Sequence, residues 1–261
     1  MPGLFIGCSG FSYPHWRGVF YPEKLPQTRW FDYYCSVFPT VELNVTFYRL
    51  LRPETFEHWS RNSPPGFTFS VKGSRFITHV KRLNAPEEPL ERFFEGVLRL
   101  GEKLSVVLWQ FPPGFALDTA RLEHFLVSLK VYPVRNALEF RNESWLTDEI
   151  IGLCREAGAS LCMADWPCFI ADLPVTSDFV YMRRHGQGGG YAGRYSPWEL
   201  ESDALRIRAY LKSGLDVHIY FNNDACGYAA ENARELSEIM GNGAGPSVDG
   251  VFPAQLKKVY P

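Results

Sequence analysis

Eight short apolar runs recur along this chain, each closing on polar or charged side chains and leading into a helix-like segment. They are LFIGCSG, TVELN, TFSVK, VVLWQFP, NALEFR, SLCMAD, FVYMRRHG and VHIYFNND. Their polar ends fall at Ser9, at Glu42 and Asn44, at Lys72, at Gln110, and at Glu139 and Arg141. The remaining three end at Asp165, at Arg183 and His185, and at Asn222, Asn223 and Asp224. Near-continuous apolar strands alternating with helices indicate a parallel sheet covered on its outer face. Eight of them predict a single α/β domain, a (β/α)8 TIM-type barrel, whose strand ends meet at one rim.

The helical stretches read as Arg29 to Phe38, Pro53 to Asn62, Leu90 to Lys103, Thr119 to Lys130, Ser144 to Ala157, Pro197 to Ser213 and Cys226 to Met240. Pro53 and Pro197 suit first helical turns, and Ser144 and Ser196 suit N-caps. Gly158, Gly214 and Gly241 act as stop signals. Between Asp165 and Phe179 lie Pro167 and Pro174 with few helix formers, so the sixth crossover is expected to be irregular. No linker divides the 261 residues, which read as one domain; residues 241–261 form a Gly- and Pro-rich tail. An open doubly wound sheet is disfavoured, because GCSG leads into the aromatic loop FSYPHWRGVFYP rather than straight into a helix.

Side chains alternate along a strand, so parity sorts them. Glu42 with Asn44, Ser70 with Lys72, Glu139 with Arg141, Arg183 with His185, and His218 with Asn222 share their faces, opposite apolar residues. The same rule groups Leu161, Met163 and Asp165. The polar parity is expected to face the barrel axis. The bland account is mutual pairing, Glu139 with Arg141 or Lys72 and Glu42 with Arg183. Apolar residues would fill one such position as well. Polar ends on almost every strand favour a ligand or catalytic site.

Lys72, Arg141 and Arg183 suggest an anion such as phosphate or carboxylate. Glu42, Glu139 and Asp165 are candidates for acid, base or cation ligand, and His185 for proton transfer. Asn44, Tyr48, Gln110, Asn222, Asn223, Asp224 and Trp16 complete the candidate substrate-binding set. Among the aromatics of the rim loops, Trp16 and Tyr48 are chosen for stacking on a base or sugar; most others, Trp166 included, read as packing. HGQGGGYAGRYS reads as a mobile loop with Tyr191, Arg194 and Tyr195 as gripping residues, and KGSRFITH adds Arg75, Thr78 and His79 as a polar wall.

Six scattered histidines and no HExxH argue against a zinc cluster. No cofactor is required; Mg²⁺ or Mn²⁺ held by carboxylates stays open. The six cysteines form no CxxC pair and read as reduced. A net charge of −2 gives no general pull toward nucleic acid or membrane. The start of the chain lacks signal-peptide features and no run reaches about twenty apolar residues, so a cytoplasmic protein is expected.

The ordered strings GCSGFSYPHWRGVFYP, FPTVELNVTFYRL, FSVKGSRFITH, WQFPP, LEFRNESW, YMRRHG and YFNNDACGYAAENA make the chain resemble the YecE-like family, domain of unknown function 72, from Gly7 to about Met240. The resemblance implies a (β/α)8 barrel with a polar cavity and carries no established reaction. The leading expectation is an enzyme acting on a phosphorylated, sugar-containing substrate, with phosphoester hydrolysis ahead of isomerisation. The alternatives are a non-catalytic binder of nucleic acid or a nucleotide, and a carbohydrate-active hydrolase. The expected partner is an anionic small molecule or nucleic acid; the oligomeric state is open.

Overall fold

The computed structural model describes residues 1–165, 173–186 and 190–241. Eight strands close into a barrel in sequence order. They are β1 (Leu4–Ser9), β2 (Thr40–Leu43), β3 (Thr68–Lys72), β4 (Leu104–Gln110), β5 (Arg135–Glu139), β6 (Ser160–Ala164), β7 (Phe179–Arg184) and β8 (Asp216–Phe221). Every neighbouring pair is parallel, including β8 with β1. Parallel strands need a crossover between them, and helices supply it.

The helices are α1 (Trp30–Val37), α2 (Val45–Tyr48), α3 (Pro53–Asn62), α4 (Glu87–Val97), α5 (Thr119–Leu129), α6 (Asp148–Glu156), α7 (Pro197–Lys212) and α8 (Tyr228–Ile239). Of the crossover from β6 to β7, expected to be irregular, residues 166–172 lie outside the described residues, and no helix is found in the described remainder. Local chemistry sets the boundaries. At α7, Ser196 and Glu199 form a reciprocal capping box and Pro197 occupies the first turn. The α6 start differs from the sequence reading. Ser144 lies in a separate single turn, where its hydroxyl accepts from Leu117 N and the Trp145 ring is buried. Thr147 caps α6 instead, accepting from Ile150 N. Cys226, expected to open the last helix, precedes α8 with φ +58.

The main core lies between barrel and helices, where Val41, Phe69, Val71, Trp109, Leu138, Val180 and Ile219 are buried. Each such side chain contributes roughly 1.5–3 kcal/mol. A second cluster fills the barrel: Val106, Leu108, Ala137, Cys162, Ala164, Phe179, Tyr181 and Tyr220. Parity therefore holds for β5, β7 and β8. On β6 it is reversed from expectation: Cys162 and Ala164 face inward, whereas Leu161 and Met163 pack outward. Every β6 position is buried, so alternation carried no contrast there.

Inside the barrel, His218 stacks on Phe5 at 4.4 Å, and neither ring nitrogen finds a hydrogen-bond partner among the described residues. Burial pushes its pKa down to about 3, so the ring packs as a neutral group. Tyr220 lies further along, its hydroxyl 2.8 Å from both Thr40 Oγ1 and Ser70 Oγ. The last turns of the strands then carry the charges.

Candidate functional site

Seven of the strand-end residues form a closed ionic floor across the barrel. Arg183 stands at its centre with no exposed surface. Its Nε and Nη2 donate to the two Glu42 oxygens at 3.1 and 2.8 Å, and Nη1 donates to Glu139 Oε2 at 2.7 Å. Nη2 also reaches Ser9 Oγ at 3.4 Å, and Nη1 lies 3.1 Å from His185 Nε2. All five donors of this guanidinium thus have partners. Glu42 also accepts from Ser9 Oγ at 2.5 Å and Tyr181 Oη at 2.7 Å. Arg141 Nε donates to Glu139 Oε1 at 2.7 Å, and Arg141 Nη1 donates to Tyr191 Oη at 3.2 Å. Burial works to raise both carboxyl pKa values. Arg183 outweighs it at Glu42, and Arg141 with Arg183 hold Glu139 well below the usual range.

His185 can be assigned a tautomer from this geometry. Arg141 Nη2 and Arg183 Nη1 approach its Nε2 at 3.2 and 3.1 Å, and guanidinium only donates. Nε2 is therefore the acceptor and Nδ1 carries the proton, 3.3 Å from Asp165 Oδ1. Burial, then Arg183, lowers the His185 pKa. With no exposed surface and both nitrogens engaged, the imidazole sits behind the site surface, not at the proton-transfer position expected of it. Asp165 follows β6 and escapes its parity. It accepts from His185 N at 2.6 Å and from Tyr195 Oη, and His185 and Arg184 hold its carboxyl low against the effect of burial.

The next inward positions differ. Lys72 is 8% exposed, and its Nζ makes no hydrogen bond or ion pair among the described residues; its neighbour is the Phe47 ring, 4.3 Å from the centroid. Burial, then Arg183, pushes its pKa down to about 7, against the pull of Glu139 and Glu42. The side chains of Gln110 and Asn222 are also buried without a hydrogen bond among the described residues. Asn44 Oδ1 is buried and unpartnered. Leu43 pairs with Val71, so Asn44 and Lys72 are the next register step along β2 and β3. A buried polar atom without a protein partner, such as Asn44 Oδ1, is rare and calls for an explanation.

The wall above β3 is a single π-helical turn, Phe76–Val80. Such turns concentrate at functional sites. His79 lies there, its Nδ1 2.8 Å from Thr78 Oγ1 and its ring edge-on to Phe47. Burial, then Lys72, Arg75 and Arg141, lowers its pKa to about 4, which marks a positive field at this rim. Gly73 begins this segment against the Trp109 ring, where a Cβ would collide. Tyr48 is 71% exposed, as a stacking residue requires.

Several candidates lie elsewhere. Trp16 has no exposed surface; it packs against Tyr13 and Phe20 and donates to Asp224 O at 3.1 Å, so its ring fastens the β1 and β8 loops and presents no face for stacking. Asn223 is turned away too, donating to Gly193 O and Asn232 Oδ1. Asp224 lines an open cavity of about 700 Å³ with His15, Val19, Cys226 and Tyr191, the last of which also meets Arg141 of the floor. Arg194 pairs with Glu231 and Glu235 on α8. Trp166, residues 187–189 of the glycine-rich loop and the tail from 242 onward fall outside the described residues.

Sequence reasoning groups Tyr181 with Arg183 and His185 without making it a site residue, though its hydroxyl donates to Glu42, and it misses the outward pair of Arg184 with Asp203, buried under α7. The signal for the pair was present: a charged side chain at an outward-facing strand position must meet a countercharge on the covering helix. Among the described residues no group of three or more His, Cys, Asp or Glu side chains could hold a metal ion. Glu42 and Glu139 already serve guanidinium groups. No described helix is long and apolar enough to cross a membrane.

Comparison with known proteins matches residues 5–255 to the family described as "Protein of unknown function DUF72". The UPF0759 protein YunF of Bacillus subtilis (strain 168) is 26% identical, over 97% of this chain and 99% of its own. The UPF0759 protein YecE of Escherichia coli (strain K12) is 27% identical, over 48% of this chain and 44% of its own. Among solved structures, a DUF72 family protein of Thermotoga maritima MSB8 superposes with a TM-score of 0.81 at 31% identity, over 92% of this chain and 99% of that one. One of Enterococcus faecalis V583 superposes at 0.78 with 22% identity, over 97% and 99%, and shares the fold. With a family match spanning nearly its whole length, this chain is a member of the DUF72 family.

Proposed function

We propose that the protein is an enzyme acting on a small, anionic, sugar-type molecule at the C-terminal rim of the barrel, with the Lys72 amine as its reactive group. The observation that carries this reading is the Lys72 amine, borne by a residue only 8% exposed, set against the Phe47 ring and without a hydrogen bond or ion pair among the described residues. An ammonium held so is costly, and the group is expected either to shed its proton or to find its partner in a ligand. A lysine brought near neutrality is suited to proton transfer or nucleophilic attack.

The substrate class follows from what surrounds the amine. Asn44 Oδ1, Gln110 and Asn222 offer acceptors and donors for hydroxyl groups. The positive field at His79, with exposed Arg75 and the Arg141 edge, favours a phosphate or carboxylate. Tyr48 adds a ring face at the opening. Arg183 is too fully engaged to stabilise a charge developing on a phosphoryl group. Proton transfer or carbonyl chemistry is therefore favoured over the phosphoester hydrolysis expected from the sequence.

The test is a panel of sugar phosphates and sugar acids followed by NMR for binding and turnover. Turnover by the wild type, lost in Lys72→Met with the melting transition retained, supports the proposal. Turnover that survives the substitution, or no binding of any anionic sugar, defeats it.

A further inference from the structure

We propose that Lys72 captures the carbonyl carbon of an open-chain hydroxylated aldehyde or ketone as a protonated Schiff base. This rests on the reading of the mouth just given, and narrows its substrate to one that presents a carbonyl. Three features separate this amine from an ordinary anion-binding lysine. It ends a barrel strand, so its position is fixed by the sheet rather than by a loop. Two carboxylates, Glu42 and Glu139, act on it electrostatically, yet no ion pair forms with either, and Nζ lies over the Phe47 ring instead. Arg183 and Arg141 act on it in the opposite sense, opposing its protonation. A desolvated amine beside other cations is the arrangement that activates lysine as a nucleophile.

The step balances without a redox partner. The neutral amine adds through its lone pair to the carbonyl carbon, and one N–H proton passes to the oxygen, giving the carbinolamine. Uptake of one further proton expels that oxygen as water and leaves a C=N bond whose nitrogen keeps one hydrogen and a positive charge. Glu139 and Glu42, whose charges act to favour the protonated amine, favour that charge as well. Hydroxyl groups along the substrate fall to Asn44 Oδ1, Gln110 and Asn222, which remain unengaged among the described residues. Addition of water reverses the capture.

The experiment uses the full chain with glyceraldehyde 3-phosphate and cyanoborohydride at neutral pH, followed by peptide mapping. A reduced adduct should form at Lys72 at least about tenfold faster than at exposed Lys24 or Lys130, because only the free amine attacks. Lys72→Arg should lose that adduct while keeping its melting transition. Labelling of Lys72 at the surface rate, or not at all, overturns the proposal. Parallel binding measurements with glycerol 3-phosphate, which has no carbonyl, separate the two readings. If both phosphates bind and no adduct forms, carbonyl capture fails and the anionic-substrate reading stands. If neither phosphate binds but Lys72 reacts selectively with neutral glyceraldehyde, capture stands and the anionic reading fails.

Discussion

Two tiers of the barrel interior treat polar groups in opposite ways. In the floor, the five Arg183 donors and both Glu42 oxygens meet protein partners. In the tier above, Lys72, Gln110, Asn222 and Asn44 Oδ1 meet none among the described residues. A satisfied network rigidifies a core. Unsatisfied groups held on that core are prepared for something that arrives from solution. The charge count of the mouth therefore misleads: two of its three cations belong to the scaffold, and the reactive capacity rests with the third.

The largest expected effect breaks the floor. Arg183→Met strands the buried Glu42 carboxylate and leaves Glu139 with Arg141 alone, and should cost about 3–5 kcal/mol in urea unfolding. A loss under 1 kcal/mol would show that the floor is not a closed network. Next comes the opposite sign in the upper tier. Lys72→Met removes a buried amine with no ion pair and should stabilise the protein by about 1 kcal/mol at neutral pH. Its pH dependence sharpens the contrast. Between the folded value of about 7 and the ordinary 10.5, the unfolded chain holds a proton that the folded chain has released. Stability from Lys72 therefore rises with pH across that window, and Lys72→Met should flatten the slope. The carboxylates give a slope of the same sign, at acid pH instead. Glu42 and Glu139 are held low, so their contribution is present above the ordinary carboxyl range and is lost as pH falls through it. Acid titration of stability in Glu139→Gln, compared with wild type, reads this directly.

Smaller still, Gln110→Ala and Asn222→Ala should change stability by less than about 0.5 kcal/mol while weakening ligand binding. The exposed pair of Arg29 with Asp32 sets the baseline; Arg29→Ala should cost under about 1 kcal/mol and leave binding unaltered.

Much of this contrast lay within reach of the sequence, and its limits have physical causes. Strand parity placed Glu42, Glu139, Arg183 and His185 on one inward face, because Val41 and Leu43, Leu138 and Phe140, and Val180 and Met182 mark the opposite faces of β2, β5 and β7 as apolar. It failed on β6, where Leu161 to Ala164 are apolar on both faces, and on Asp165, which lies just past the strand. The rim loops offered no such rule. Trp16 and Tyr48 look alike in sequence, yet one is sealed under the β8 loop and the other stands in solvent. Pairing was the deepest gap. Lys72 and Arg183 carry the same charge in similar strings, and only the closed barrel shows that Glu42 and Glu139 both turn to Arg183.

The central claim is that Lys72 keeps a largely buried amine free of any hydrogen bond or ion pair among the described residues. Its direct measurement is an NMR titration of the Lys72 amine, carbon-13 dimethylated and assigned by its absence in Lys72→Arg. The account predicts a midpoint near 7, moving when a substrate anion or carbonyl occupies the mouth. A midpoint near the ordinary 10.4, unmoved by any ligand, would contradict it.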